Sequence, residues 1–266
     1  MNSFFKRAIF PLTLVLNLFS PLSYGQSSSF DKVDKELTAL YSKIFPFYYD
    51  NQDSLNYYSD LISSKFTSFI VNNPSTLNYK FKSLTDSNAC GIVTTKDGLF
   101  RIYSWDTWQG GTMHAFRNIY QYKSGNKIYA TILDYGEGDM GTYYTDIFPL
   151  KTNDKIYFLA ISGGSESTKD AYTTIAAYTI SKDTLNDKVK IIKTKSGLSN
   201  SISLEYDFFT VVARPERPIR LIKYDEDKKI ISIPVVLENG KVTNRFITYK
   251  FNGQYFEKIV VRRKNK

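Results

Sequence analysis

Between Leu99 and Lys123 the chain places both of its tryptophans, its single histidine and a Gly-Gly pair, just downstream of its single cysteine, Cys90. Trp105, Asp106, Trp108 and His114 fall within ten residues around Gly110-Gly111. Tryptophan faces cover the apolar face of a pyranose, and an aspartate and a histidine bond its hydroxyls. This group could therefore build a sugar-stacking pocket. Read as a strand, 112–123 puts Thr112, His114, Phe116, Asn118, Tyr120 and Tyr122 on one face, because successive side chains alternate. Tyr120 thereby joins Trp105, Asp106, Trp108 and His114 as an expected ligand-binding residue. The competing reading makes Trp105 core, Asp106 a turn former and His114 a structural histidine.

Two catalytic arrangements are open to His114. Beside Asp106 it would be an oriented general base. Beside Cys90 it would activate a thiol. Asn88-Ala89-Cys90-Gly91 matches no local nucleophile motif, and a small buried apolar residue is the simpler reading of Cys90. No residue is assigned as catalytic.

Asp134-Tyr135-Gly136-Glu137-Gly138-Asp139-Met140-Gly141 alternates three carboxylates with three glycines. Glycines let a backbone fold tightly, so that Asp134, Glu137 and Asp139 could converge on a hard cation such as calcium. The spacing is not that of an EF-hand, and a flexible acidic turn competes with the metal reading. No other cofactor is expected, since one His and one Cys are too few for zinc. The same acids, with Asp106, could serve glycoside hydrolysis if the fold sets two of them at the right separation. Ser162-Gly163-Gly164-Ser165-Glu166-Ser167 precedes another strand rather than a helix, so it reads as a rim loop and not as a phosphate cradle. Arg214-Pro215-Glu216-Arg217-Pro218 reads as a stiff link with a local Arg–Glu ion pair.

The elements that must position these residues follow from periodicity. Phe30, Val33, Leu37, Tyr41 and Ile44 recur at three- and four-residue steps and predict a helix over 30–45, closed by Pro46. Leu55, Tyr58, Ile62, Phe66 and Phe69 predict a second, capped by Asp53 and ended by Asn72-Asn73-Pro74. Beyond about residue 78 the period becomes two, with strands expected near 91–95, 99–105, 112–123, 127–134, 143–149, 155–162, 171–180, 188–194, 202–212, 219–224, 229–237, 243–251 and 254–260. Asn239-Gly240 and Asn252-Gly253 between such runs are hairpin signals, and the short gaps favour antiparallel neighbours. Ile156–Ile161 and Ile230–Leu237 are apolar on both parities, so a second layer must cover them. Pro234 implies an edge or a bulge. The expected fold is mainly β: an antiparallel β-meander, as a sandwich, a curled sheet or a small propeller-like array, carrying an N-terminal pair of amphipathic helices. The expected organisation is 1–25 leader, 26–76 helical segment, 77–261 β domain and 262–266 basic tail.

Lys6 and Arg7, the apolar run Ala8–Leu22 and the small residues Ser23 and Gly25 form a secretory signal with a cut before Gln26. No other stretch is apolar enough to span a membrane. The formal charge of +9 falls to +7 once Lys6 and Arg7 leave. Such a basic chain is attracted to acidic partners. Without a compact Lys/Arg cluster interleaved with aromatics, nucleic acid is not an expected partner. The expectation is a periplasmic or secreted binding protein that recognises an envelope protein or glycan around Trp105–His114. The alternatives are an exported hydrolase of polymers using acidic residues, and a structural accessory subunit of an envelope complex.

Overall fold

The computed structural model describes residues 22–48, 51–133, 136 and 138–259, with side chains from residue 29 onward. The expected signal peptide, apart from its last few backbone residues, and the 262–266 tail lie outside the described residues, as do Asp134 and Glu137.

Three helices come first: α1 (Leu22–Tyr41), α2 (Gln52–Asn72) and the short α3 (Lys82–Asp86). α1 stops before Pro46, and Phe45–Phe47 forms a separate 3-10 turn. The predicted stripes are the buried ones, with Leu37, Ile44, Leu55, Ile62 and Phe66 each at most 3% exposed. Asn51, not Asp53, caps α2, accepting from the Ser54 amide at 2.9 Å. Asp34 of α1 is buried. Its carboxylate accepts the amides of Ser83 and Leu84 at 2.8 and 3.0 Å. It thereby satisfies two donors at the start of α3 that no helical carbonyl can reach.

The first sheet is a meander of β1 (Gly91–Thr94), β2 (Phe100–Asp106), β3 (Phe116–Ser124) and β4 (Lys127–Thr131). β5 (Tyr143–Lys151), β6 (Ile156–Ser165) and β7 (Asp170–Ser181) continue as a second meander, to which β8 (Thr184–Asn186) adds at β7. β9 (Ile192–Thr194) and β10 (Gly197–Ser199) form a hairpin of the third sheet, and β11 (Ser201–Asp207) returns to pair with β7. β12 (Lys223–Asp225), β13 (Ile230–Val236), β14 (Val242–Phe251) and β15 (Phe256–Lys258) complete the third sheet. Pairing is antiparallel except where β15 lies parallel to β9. The chain is mainly β, about 42% strand against 23% helix, with no closed barrel.

The layers stack in the order helices, first sheet, second sheet, third sheet, and alternation along the strands builds that stack. In β2, Tyr103 and Trp105 join Phe66 and Ile119 under the helices, while Phe100 and Ile102 face Tyr144, Phe158 and Tyr178 of the second sheet. In β6, Phe158 and Ala160 face the first sheet, and Tyr157, Leu159 and Ile161 face Ile192, Ile231 and Phe256 of the third. The two-faced reading of Ile156–Ile161 therefore holds, because β6 lies in the middle layer. For Ile230–Leu237 it fails. The third sheet is outermost, so Ile231 and Ile233 are buried while Ile230 and Ser232 are only part-covered. Pro234 sits at a bulge of β13, beyond the last residue that β12 pairs.

Polar groups also tie the helical layer down. The Arg101 guanidinium donates to the carbonyls of Thr76 and Tyr79 at 3.0 and 2.6 Å. Tyr103 donates to Gln121 Oε1 at 2.7 Å, and Gln121 donates to Thr76 Oγ1 at 3.0 Å. A buried polar group is tolerated when its partners are in place, as these are.

Candidate functional site

β2 ends at Asp106, and the chain then loops through a 3-10 turn at Gly111–Met113 before β3 starts at Phe116. The predicted 112–123 strand is therefore shorter than expected, and His114 lies in the loop rather than on the strand face. Two backbone outliers mark this loop: Trp108 at φ 60° and His114 at φ 45°. Left-handed backbone at such residues costs roughly 1–3 kcal/mol each and persists only where the surroundings hold it.

Asp106 does much of that holding. Its Oδ1 accepts the Trp108 amide at 2.7 Å, and its Oδ2 lies 2.6 Å from His114 Nδ1. The bond to Asp106 is the main cause raising the His114 pKa above its ordinary value, against a smaller desolvation effect. Trp108 docks on the helical layer: its indole N–H donates to Tyr41 Oη at 2.9 Å, and its ring stands edge-on to Phe45 and Tyr48 at 5.5 and 5.4 Å. Gln109 reaches α2 through Asn56 Oδ1 at 3.0 Å.

The five residues singled out by sequence thus separate. Trp105 is 3% exposed, packs against Phe66 and donates to Ser63 Oγ at 3.3 Å, so only its edge is near solvent. Trp108 is an anchor for the loop. Tyr120 is 1% exposed in the core between the first two sheets, with its hydroxyl 2.9 Å from that of Tyr144. Asp106 and His114 remain together and reach an opening. The open two-tryptophan stacking face imagined from the spacing does not form, because helices absent from that local reading cover both rings.

Two recesses flank this loop. The larger, of about 960 Å³, lies between α2 and the end of the first sheet. Ser63, Ser64, Thr67, Ser68 and Asn72 form one wall, and Trp105, Phe116, Arg117, Asn118, Ile132 and Leu133 the other. Arg117 is exposed there and has no carboxylate partner among the described residues. The smaller recess, of about 260 Å³, brings His114 together with Asp139, Ser165, Glu166 and Tyr172. Phe116, Gly138, Asp139 and Gly141 border both. All three stretches that looked chemical in sequence therefore meet here, although they are distant along the chain.

Gly141 makes the junction possible. Its φ is +65°, and a Cβ there would lie 2.2 Å from the Phe116 carbonyl oxygen, so no other residue fits. Asp139 Oδ1 accepts the Gly141 amide at 3.0 Å, and Tyr172 donates to the Gly141 carbonyl at 3.1 Å. Burial, before all other causes, raises the Tyr172 pKa, and the nearby charges of Asp139 and Glu166 add to it. Of the three acids expected to hold calcium, only Asp139 is described, and it forms this turn. Among the described residues, no group of three metal-ligating side chains converges.

Cys90 is 4% exposed in the core under the helices, and burial pushes its thiol pKa up to about 12. Such a thiol is protonated at neutral pH and is not a nucleophile. The α2 wall of hydroxyls was missed in sequence, where Ser63, Ser64, Thr67 and Ser68 read only as the polar side of an amphipathic helix. No protein-family model, curated protein or solved structure matches this chain, so the chemistry of the site rests on its own geometry.

Proposed function

We propose that the protein is an exported binding protein that seats an envelope protein or glycan in the groove between α2 and the first sheet. The groove carries this reading. Its volume of about 960 Å³ is that of a ligand site, and it sets a wall of hydroxyls and Asn72 opposite Phe116, Asn118 and Arg117, which has no carboxylate partner among the described residues. Hydroxyl and amide groups suit a hydroxyl-rich or backbone-rich ligand, Phe116 offers a stacking surface, and Arg117 supplies one cation. Export rests on the Lys6–Gly25 signal pattern. Among the described residues no helix is long and apolar enough to cross a membrane.

The test is to fill the groove. Ser64 is exposed on α2, so Ser64→Trp obstructs the groove without disturbing the core. Glycan arrays and cross-linked pull-downs from envelope extract, run with wild type and Ser64→Trp in parallel, should show a ligand lost in the variant. A ligand kept by both places binding elsewhere.

A second reading, an exported hydrolase, is favoured by one observation. Asp106 orients His114 through Nδ1, and Nε2 has no hydrogen-bond partner among the described residues, beside the recess that holds Asp139, Ser165 and Glu166. An oriented imidazole is a competent general base. Turnover of an ester, glycan or peptide substrate that disappears in His114→Gln would establish it; a flat substrate screen removes it.

A further inference from the structure

Charge is not spread evenly along this chain. Residues 188–266 hold 18 of the 35 Lys and Arg residues but only 8 of the 26 Asp and Glu residues, so the basic excess belongs to the C-terminal part of the chain; 14 of these cations lie within 188–259 and four in the 262–266 tail outside the described residues. We propose that the Lys188–Lys195 run, which leads into and through β9 next to the edge strand β10, is a cationic strip that binds a linear acidic polysaccharide, at a surface separate from the groove.

The strip follows from two Lys-x-Lys steps set on either side of a buried pair, Ile191-Ile192. Lys188, Lys190, Lys193 and Lys195 are all exposed, while Ile191 and Ile192 between them are 3% and 0% exposed in the core against the second sheet. Packing turns the aliphatic side chains inward and leaves the ammonium groups outside. None of the four has a carboxylate partner among the described residues. The parallel neighbour β15 pairs Phe256 with Ile192, a register that sets Glu257 level with Lys193 and the exposed Lys258 level with Thr194. Lys193 Nζ stands 5.3 Å over the Tyr255 ring and is steadied there. On β9 and β15 the one carboxylate is Glu257, which lies between Lys193 of β9 and Lys250 of β14 and leaves the strip with a net excess of cations. Asp183 and Asp187 precede the strip, and nothing acidic interrupts it from Lys188 to Lys195.

The shape of the array selects the partner. Lysines two residues apart in extended chain project about 7 Å apart, so the pairs 188/190 and 193/195 space their cations along the chain rather than gather them at one point. A line matches a polymer that repeats a negative charge along its length. Lysine is a compact point charge with rotatable donors, suited to tolerant binding of repeated anions rather than to one fixed group. A bilayer would require apolar side chains to enter the interface, and on the β9–β10 hairpin only Leu198 is exposed. Single-stranded nucleic acid would require open aromatic platforms, and Lys193 covers the Tyr255 ring.

The probe is polygalacturonate, with neutral dextran, anionic phosphatidylglycerol vesicles and single-stranded DNA run alongside. Lys190→Glu/Lys193→Glu alters the strip, and Lys32→Glu/Lys35→Glu makes the same change of net charge on exposed α1 positions in the opposite outer layer. The full chain should bind polygalacturonate and not dextran, with affinity falling at least about tenfold between about 50 and about 200 mM salt. The β9 variant should lose about tenfold or more, and the α1 variant less than about twofold, with unchanged melting temperatures. Absent binding, equal loss in both variants, or tighter binding to vesicles or DNA than to polygalacturonate overturns the proposal. The groove variant Ser64→Trp should bind polygalacturonate normally, which separates this surface from the groove.

Discussion

The first and third sheets are both outer members of the three-sheet stack, yet they finish differently. The first sheet has its outer face roofed by helices. That roof buries Tyr103 and Trp105, fixes Arg101 and Gln121 in satisfied bonds, and leaves a groove where α2 parts from β3. The third sheet has no roof, and its outward positions carry Lys193, Lys223, Lys250 and the 48% exposed Phe246. A recess forms where two layers diverge, whereas a bare sheet offers only a surface. Shaped recognition therefore belongs to the helical end of the molecule and charge-driven recognition to the other.

Truncation at each end should expose that difference most strongly. Phe66 is 1% exposed and makes ring contacts with Phe81, Tyr103 and Trp105, so Phe66→Ala should cost about 4 kcal/mol in urea unfolding. Phe246→Ala on the bare face should change stability by no more than about 0.5 kcal/mol. Equal effects would mean that the helical roof does not share a cooperative core with the first sheet.

A smaller loss should follow Asp34→Ala, roughly 2–3 kcal/mol, because the Ser83 and Leu84 amides lose the carboxylate that accepts them inside the helical layer. Amide exchange at Ser83 and Leu84 should accelerate in the variant more than exchange in β13. Uniform acceleration would show that α3 unfolds only with the whole molecule.

The smallest effect is the pH dependence of the loop. Its histidine pKa is raised in the folded state by Asp106, so the stabilisation is fully present below the ordinary value of 6.5 and is lost as pH rises through the higher folded value. The melting temperature of wild type should therefore exceed that of His114→Gln most at acidic pH, with the gap closing on the alkaline side. The gap stays small because the His114 side chain is 38% exposed. A gap that widens with pH would reverse the sign of the coupling.

Much of the fold was legible in the sequence. The period change near residue 78, the two amphipathic stripes and the hairpin dipeptides placed α2 and most strands within a few residues, whereas α1 runs over Leu22–Tyr41 rather than 30–45. The short strands β8 and β10 and the helix α3 escaped, because each is stabilised by partners rather than by its own pattern. Leu185 of β8 is buried against the inter-sheet core, and α3 is capped by Asp34, 49 residues earlier along the chain. The candidate site was legible only in part. Asp106 and His114 were found together because they are local, eight residues apart. Trp105 as core was one of the two readings open in the sequence, but the anchoring of Trp108 was not legible, because the helices that hold it fold from residues far upstream.

By itself the sequence determined the class of most elements and the excess of cations from residue 188 onward, since these are properties of periodicity and composition. Only the tertiary structure decided which strands became inner or outer layers, which aromatics stayed open, and that Asp139, Glu166 and Tyr172 would meet His114 beside a groove walled by α2. The reason is physical: side-chain alternation is set by the local backbone, whereas a recess exists only where separate layers, packed through long-range contacts, diverge.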